Sequence, residues 1–173
     1  VTAPDRPGIL QLVRHAKSSW ADPSVADIDR PLSGRGQRGA EALAWRLAET
    51  DERPDVVVCS PAKRARQTLA TIQGTLGSSV VIRIDPVVYE AGPDELLEAL
   101  RDLEPTAATV MVIGHNPTLQ DLALRLIAPD GSDELARLQV KFPTGALVTL
   151  LVPSRWDLLT TACARLQSLW TPR

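Results

Sequence analysis

Six short apolar runs punctuate the chain, at residues 9–13, 56–59, 80–84, 109–113, 146–152 and 164–170. Each of the first four is followed by a segment with the apolar period of a helix. Nearly continuous apolar strands alternating with amphipathic helices demand a mainly parallel sheet covered on both faces. Ser33 caps a helix that carries Ala40, Leu43, Ala44 and Leu47 on one face. Ser60 and Pro61 supply an N-cap and a first-turn proline for a helix with Ala65, Leu69, Ile72 and Leu76. Pro93 and Asp94 open a third with Leu96, Leu100 and Leu103. Asn116 and Pro117 repeat the cap-and-proline start ahead of Leu119, Leu122, Ala123 and Leu126. After residue 130 the rhythm changes. Only a short connection around Trp156 separates the last two runs, so at least one of them is expected to run antiparallel. No linker rich in Gly, Ser or Pro divides the 173 residues, which read as one domain, 1–173, with residues 1–8 a short flexible N-terminus. Trp20 lines a site rim or packs in the core, and Trp45, Trp156 and Trp170 read as core or sheet-edge packing.

Composition narrows the partners. Nineteen basic against 21 acidic residues leave a net charge of −2, which excludes a generic nucleic-acid binder. The longest apolar run, 146–152, is too short to span a bilayer, and the first residues lack the pattern of a signal peptide. Cys59 and Cys163 are too few and too far apart for a disulfide framework or a structural zinc site. With only two histidines besides, no metal or cofactor is expected, and a reducing cytoplasm is the expected compartment for a monomer. Lys17, Lys63 and Lys141 are the only lysines. The basic side is therefore arginine, which suits planar, bidentate recognition of phosphate.

Ligands of such a sheet bind beyond the carboxyl ends of its strands. Arg14, His15, Lys17 and Ser18 follow the first run; Ser60, Lys63 and Arg64 follow the second. Tyr89 and Glu90 lie beyond the third, and Gly114, His115 and Asn116 follow the fourth. Two imidazoles and two guanidiniums on one edge, with no acidic run beside them, make a compact anion site suited to a phosphoryl group. Helix N-termini at Pro61 and Pro117 would add partial positive charge. The available nucleophiles are His15, His115, Cys59 and nearby serines. Cys59 lacks the Cys-x5-Arg phosphate loop of cysteine phosphatases, and the serines lack a triad or nucleophile elbow. A neutral histidine can attack phosphorus and carry it as phosphohistidine. Neighbouring arginines are expected to keep it neutral.

These residues resemble a known family. Leu12-Val13-Arg14-His15-Ala16 is similar to the Arg-His-Gly/Ala signature of the histidine phosphatase superfamily, which includes phosphoglycerate mutases and acid phosphatases. Residues 60–68, Ser-Pro-Ala-Lys-Arg-Ala-Arg-Gln-Thr, resemble its second motif, and Ile113-Gly114-His115-Asn116-Pro117 its third. Asp29-Arg30-Pro31-Leu32-Ser33 and the short chain resemble the SixA-type phosphohistidine phosphatases. The resemblance implies a phosphoglycerate mutase-like, three-layer α/β/α sandwich with strand order 3-2-4-1-5-6 and strand 5 antiparallel. It implies His15 as nucleophile, with Arg14, Arg64 and His115 holding the phosphoryl oxygens and Ser18 adding a hydroxyl donor.

Many members of that family protonate the leaving oxygen with a carboxylic acid. Glu90 is the expected acid here, since Asp94 and Glu95 sit where they serve a helix N-terminus. The stretches 85–108 and 128–143 are short and leave little material for a lid, although 131–138 could fold over the site. An open site admits a side chain on a folded protein, so phosphohistidine in proteins is the expected substrate. A phosphatase for small phosphomonoesters or nucleotides is the second reading, and an inactive phosphate-binding module the third. A mutase, which must enclose its intermediate, fits less well.

Overall fold

The computed structural model describes residues 6–172. Six strands form one sheet: β1 (Gly8–Arg14), β2 (Val56–Cys59), β3 (Val81–Ile84), β4 (Thr109–Gly114), β5 (Leu147–Val152) and β6 (Arg165–Trp170). Their order is β3-β2-β4-β1-β5-β6. β1, β2, β3 and β4 pair in parallel, and β5 lies antiparallel to both β1 and β6. The order and the single reversed strand are those the family resemblance implies.

Alternate side chains of the central strands feed two apolar layers, as a sheet covered on both faces requires. Val13, Val57, Met111 and Ile113 pack with Leu43 and Leu47 of α1 (Gly34–Ala48) and with Leu69 and Ile72 of α2 (Lys63–Ile72). On the opposite face, Leu10, Leu12, Val58, Val110 and Val112 pack beneath three further helices. They are α4 (Pro93–Arg101), α5 (Thr118–Leu126) and α6 (Asp133–Val140), represented by Leu97, Leu122 and Leu138. A single helical turn, α3 (Val87–Glu90), links β3 to α4. No helix among the described residues is long and apolar enough to cross a membrane.

Several expectations are corrected. α2 begins at Lys63 behind Ala62, two residues later than the Ser60-Pro61 start; the Ser60 oxygen accepts from the Ala62 amide at 3.2 Å and also meets His115. α5 begins at Thr118 behind Pro117 with no side-chain cap; the Asn116 amide instead donates to Gln120 and to the Phe142 carbonyl. Neither α3 nor α6 is anticipated by the apolar spacing. Trp45 points to solvent, 76% exposed, rather than into the core, whereas Trp156 is buried and donates to the Ala107 carbonyl. β3 is an edge strand with Val81 and Ile84 about half exposed, so its apolar run does not mean burial on both faces. Gly8 already pairs with Val152 at the start of β1. The flexible N-terminus expected over residues 1–8 thus gives way to strand at its end, and residues 1–5 lie outside the described residues.

Candidate active site

β1 and β4 are central neighbours in register, Arg14 opposite Gly114, so the residues that follow them emerge side by side at one sheet edge. This adjacency brings His15 and His115 together, with ring centroids 4.9 Å apart. α2 runs back from the same edge, and Arg64 in its first turn reaches both rings. Its Nε donates to Nε2 of His15 at 3.3 Å, and its Nη2 donates to Nδ1 of His115 at 3.4 Å.

The ring protons follow from the partners. Nδ1 of His15 lies 2.7 Å from the carbonyl oxygen of Ala16, which can only accept, so the proton sits on Nδ1. The lone pair on Nε2 is thereby presented to the cluster. In His115 the roles are reversed. Nδ1 accepts from Arg64, so Nε2 carries the proton and donates to the Ser60 hydroxyl at 2.7 Å. Burial pushes the His15 pKa down to about 3 despite the opposing hydrogen bond to Ala16, with the charges of His115, Arg64 and Arg14 lowering it further. His115 is pushed down to about 4, first by burial and then by Arg64, against the opposing charge of Asp27. The sequence reading attributes neutrality to the arginines; burial is the larger cause.

Arg14 lies beside this pair. Its Nη1 donates to the Phe142 carbonyl at 2.8 Å, while its buried Nε has no partner among the described residues. An orphaned, desolvated guanidinium donor is costly unless an anion completes it. Arg14, His15, Arg64 and His115 thus stand together at one sheet edge.

The other two expected residues stand differently. Ser18 is buried, and its oxygen accepts from Nη2 of Arg30, whose guanidinium stacks 3.2 Å from the ring centroid of the exposed Trp20; the hydroxyl keeps its own proton to donate. Glu90 is exposed at the end of α3, and its side chain has no hydrogen bond or ion pair among the described residues. From that turn it is Tyr89 that reaches the site, its ring edge-on to His115 at 5.5 Å.

The motif residues around these groups have physical tasks. The Thr68 hydroxyl accepts from the Ala16 amide and donates to the Arg64 carbonyl, which ties the first turns of α2 to the loop after β1. Gln67 accepts from the Leu32 amide and holds the Arg30-Pro31-Leu32-Ser33 segment against α2. Cys59 is buried and its thiol is pushed up to about 12, a protonated packing residue.

One site residue escapes the sequence reading. Asp27, in the short 3-10 turn Asp27–Asp29, accepts from Arg64 Nη2 at 2.9 Å and from the Tyr89 hydroxyl at 3.0 Å, and its other oxygen pairs with Arg30. Its backbone carbonyl also accepts from Arg64 Nη1 at 2.6 Å. Burial pushes its carboxyl up, but the hydrogen bonds from Arg64 and Tyr89 and the charges of Arg64 and Arg30 hold it below the ordinary carboxylate range. No acidic run was expected beside the guanidiniums, and the structure adds a single carboxylate, Asp27, to them. Asp27 lies 37 residues from Arg64, in a segment with no periodicity, and no local pattern announces the pairing.

Taken together, the mainly parallel sheet and the cationic, imidazole-bearing edge define a phosphatase of the α/β class. The model of the histidine phosphatase superfamily (branch 1) matches residues 10–97. An uncharacterised protein of Mycobacterium tuberculosis is 36% identical over 163 residues, covering 93% of this chain and all of that one. A candidate phosphohistidine phosphatase SixA from Nakamurella multipartitia is 33% identical, with a TM-score of 0.85 over 98% of each chain. Its counterpart from Agrobacterium tumefaciens is 32% identical, with a TM-score of 0.81 over 96% of this chain and 99% of that one. The chain belongs to the histidine phosphatase superfamily.

Proposed function

We propose that the protein hydrolyses phosphohistidine in proteins through a phosphorylated His15. Nε2 of His15 attacks phosphorus, the bond from phosphorus to the substrate's ring nitrogen breaks, and that nitrogen leaves with the bonding pair. Arg14, Arg64 and His115 hold the equatorial oxygens as charge spreads over them. Water then attacks phospho-His15, releasing phosphate and restoring the imidazole. The fixed Nδ1 proton supports this assignment, because it leaves Nε2 both unprotonated and aimed into the cluster.

The observation that carries the substrate class is the state of Asp27. The carboxylate bonded into the site is held ionised by Arg64 and is a poor proton donor at neutral pH. An alkoxide leaving group needs such a donor. An imidazole needs far less, since its conjugate acid titrates near about 6.5 and a ring protonated on its other nitrogen leaves neutral. The likeness to two candidate SixA phosphohistidine phosphatases supports the same class. In this reading a phosphomonoester draws its leaving-group proton from Glu90, the exposed carboxyl next to Tyr89, and phosphohistidine does not need it.

The test is a direct comparison of a phosphohistidine protein with an aryl phosphate and sugar phosphates. The phosphohistidine substrate is expected to show the highest kcat/KM. Glu90→Gln is expected to slow the phosphomonoesters and spare phosphohistidine. Preference for a phosphomonoester would contradict the substrate class, and equal losses on both would sink the assignment of Glu90 as the leaving-group acid.

A further inference from the structure

Arg14 has a second side. A cleft of about 550 Å³ opens beside it, lined by Arg14, Lys17, Arg35, Arg38 and Lys141 with no acidic residue among its walls. Ala16, Gly39, Pro143, Thr144 and Pro172 complete the lining. Lys17 follows the candidate nucleophile by two residues, and the segment from Lys141 leads into β5 at the same sheet edge. The cleft thus adjoins the phosphoryl site through the Arg14 they share.

Folding alone does not account for this charge. Arg35 lies in the first turn of α1, where the helix dipole disfavours a cation, and that turn holds no acidic residue to offset it. Arg38 lies three residues on, where like charges on a helix repel. Neither arginine, nor Lys17 nor Lys141, forms an ion pair or side-chain hydrogen bond among the described residues. Arg83, Arg101, Arg125 and Arg155 each have an acidic partner, whereas Arg66, Arg137 and Arg165 stand singly on the surface; at this cleft four unpaired cations share one concavity. A solvated surface normally mixes signs, and a concavity of one sign focuses potential on an anion. The shared wall residue, Arg14, adds its buried and unpartnered Nε.

We infer that this cleft binds a second anionic group of the substrate, next to the phosphoryl group being transferred. The inference rests on the phosphoryl site proposed above and adds a requirement to it. The preferred substrate carries, within reach of the scissile phosphoryl group, either the carboxylates of acidic side chains or a second phosphate. Groups in the cleft are held by exposed cations, so the contribution is sensitive to salt.

The test uses Arg35→Gln/Arg38→Gln, two exposed positions outside the proposed catalytic set. Calorimetry measures binding of matched probes: a phosphopeptide with Glu or with Gln flanking the phosphorylated residue, and a sugar bisphosphate or the monophosphate. Wild type is expected to bind at least one doubly anionic probe about tenfold more tightly than its match, and the double variant to lose that preference. The aryl phosphate kcat/KM should stay unchanged in the variant, which shows that the fold and the phosphoryl site are intact. Loss with the Glu peptide assigns the cleft to acidic side chains; loss with the bisphosphate assigns it to a second phosphate. No preference in wild type for either probe, or a preference untouched by the double substitution, overturns the inference. Binding needs no turnover, so failure of the phosphatase reading would show separately, as wild-type protein that binds these probes but hydrolyses none.

Discussion

At the scale of the residue, the site is a chain of hydrogen bonds that fixes two tautomers and one guanidinium. Ala16 sets the His15 proton, Arg64 sets that of His115, and Asp27 clamps Arg64 between the two rings. Asp27→Asn keeps the shape but weakens the clamp. It is expected to lower kcat about ten- to a hundredfold, the cost of a small misplacement at a reacting centre. KM should not rise, because the Arg64 donors then face the phosphate without a competing carboxylate. A raised KM with unchanged kcat would show that Asp27 binds substrate instead of positioning Arg64. The four central residues were legible in the sequence because they lie at or just beyond the carboxyl ends of strands, Arg64 in the first turn of the helix after β2, where side chains must gather at one edge. Asp27 was not, because its role exists only through a contact made in space. The Arg30 guanidinium that donates to Ser18 was equally hidden, since that contact too is made only in space.

At the scale of the element, the loop after β1 is held by close packing of α1. A Cβ on Gly36 would lie 1.9 Å from the Lys17 carbonyl oxygen, and that oxygen already accepts from the Ser33 amide and hydroxyl. The helix start therefore rests against the backbone that follows His15. Gly36→Ala is expected to destabilise the protein by about 1–3 kcal/mol, as overpacking does, and to lower kcat by shifting that loop. Denaturant unfolding and steady-state kinetics check both; Gly74→Ala, where nothing lies within 4 Å, serves as the neutral control. Gly145 closes the other side of the site, at φ +77°, with its amide donating to the Arg14 and His15 carbonyls. Strands and long helices were readable from apolar period. Two helix starts were displaced: Ser60 bonds the Ala62 amide and His115 from one oxygen, two residues ahead of the helix, and Asn116 looks like a cap but bonds Phe142. The short α6 escaped because Leu135 and Leu138 alone define its buried face.

At the scale of the whole molecule, two buried neutral imidazoles make stability depend on pH. Above about pH 6.5 they are neutral in both the folded and the unfolded chain and have no effect. As pH falls below that value, the unfolded chain takes up protons while folded His15 and His115, depressed to about 3 and 4, do not. Folding stability is therefore expected to fall from about pH 6.5 to about pH 4 and to level off for these groups below their folded values. Thermal unfolding across this range checks it. His115→Gln should make the slope shallower by about one proton, and an unchanged slope would mean that His115 is not held neutral. The layered sheet and its order followed from the alternation and the motifs, while the one-signed cleft beside Arg14 needed four chain segments to meet. The most direct test of the whole reading is rapid-quench trapping with a radiolabelled phosphohistidine substrate, followed by peptide mapping. An acid-labile phosphoryl group on His15 is the expected result; label on His115, Ser60 or Cys59, or full turnover by His15→Ala, would contradict it.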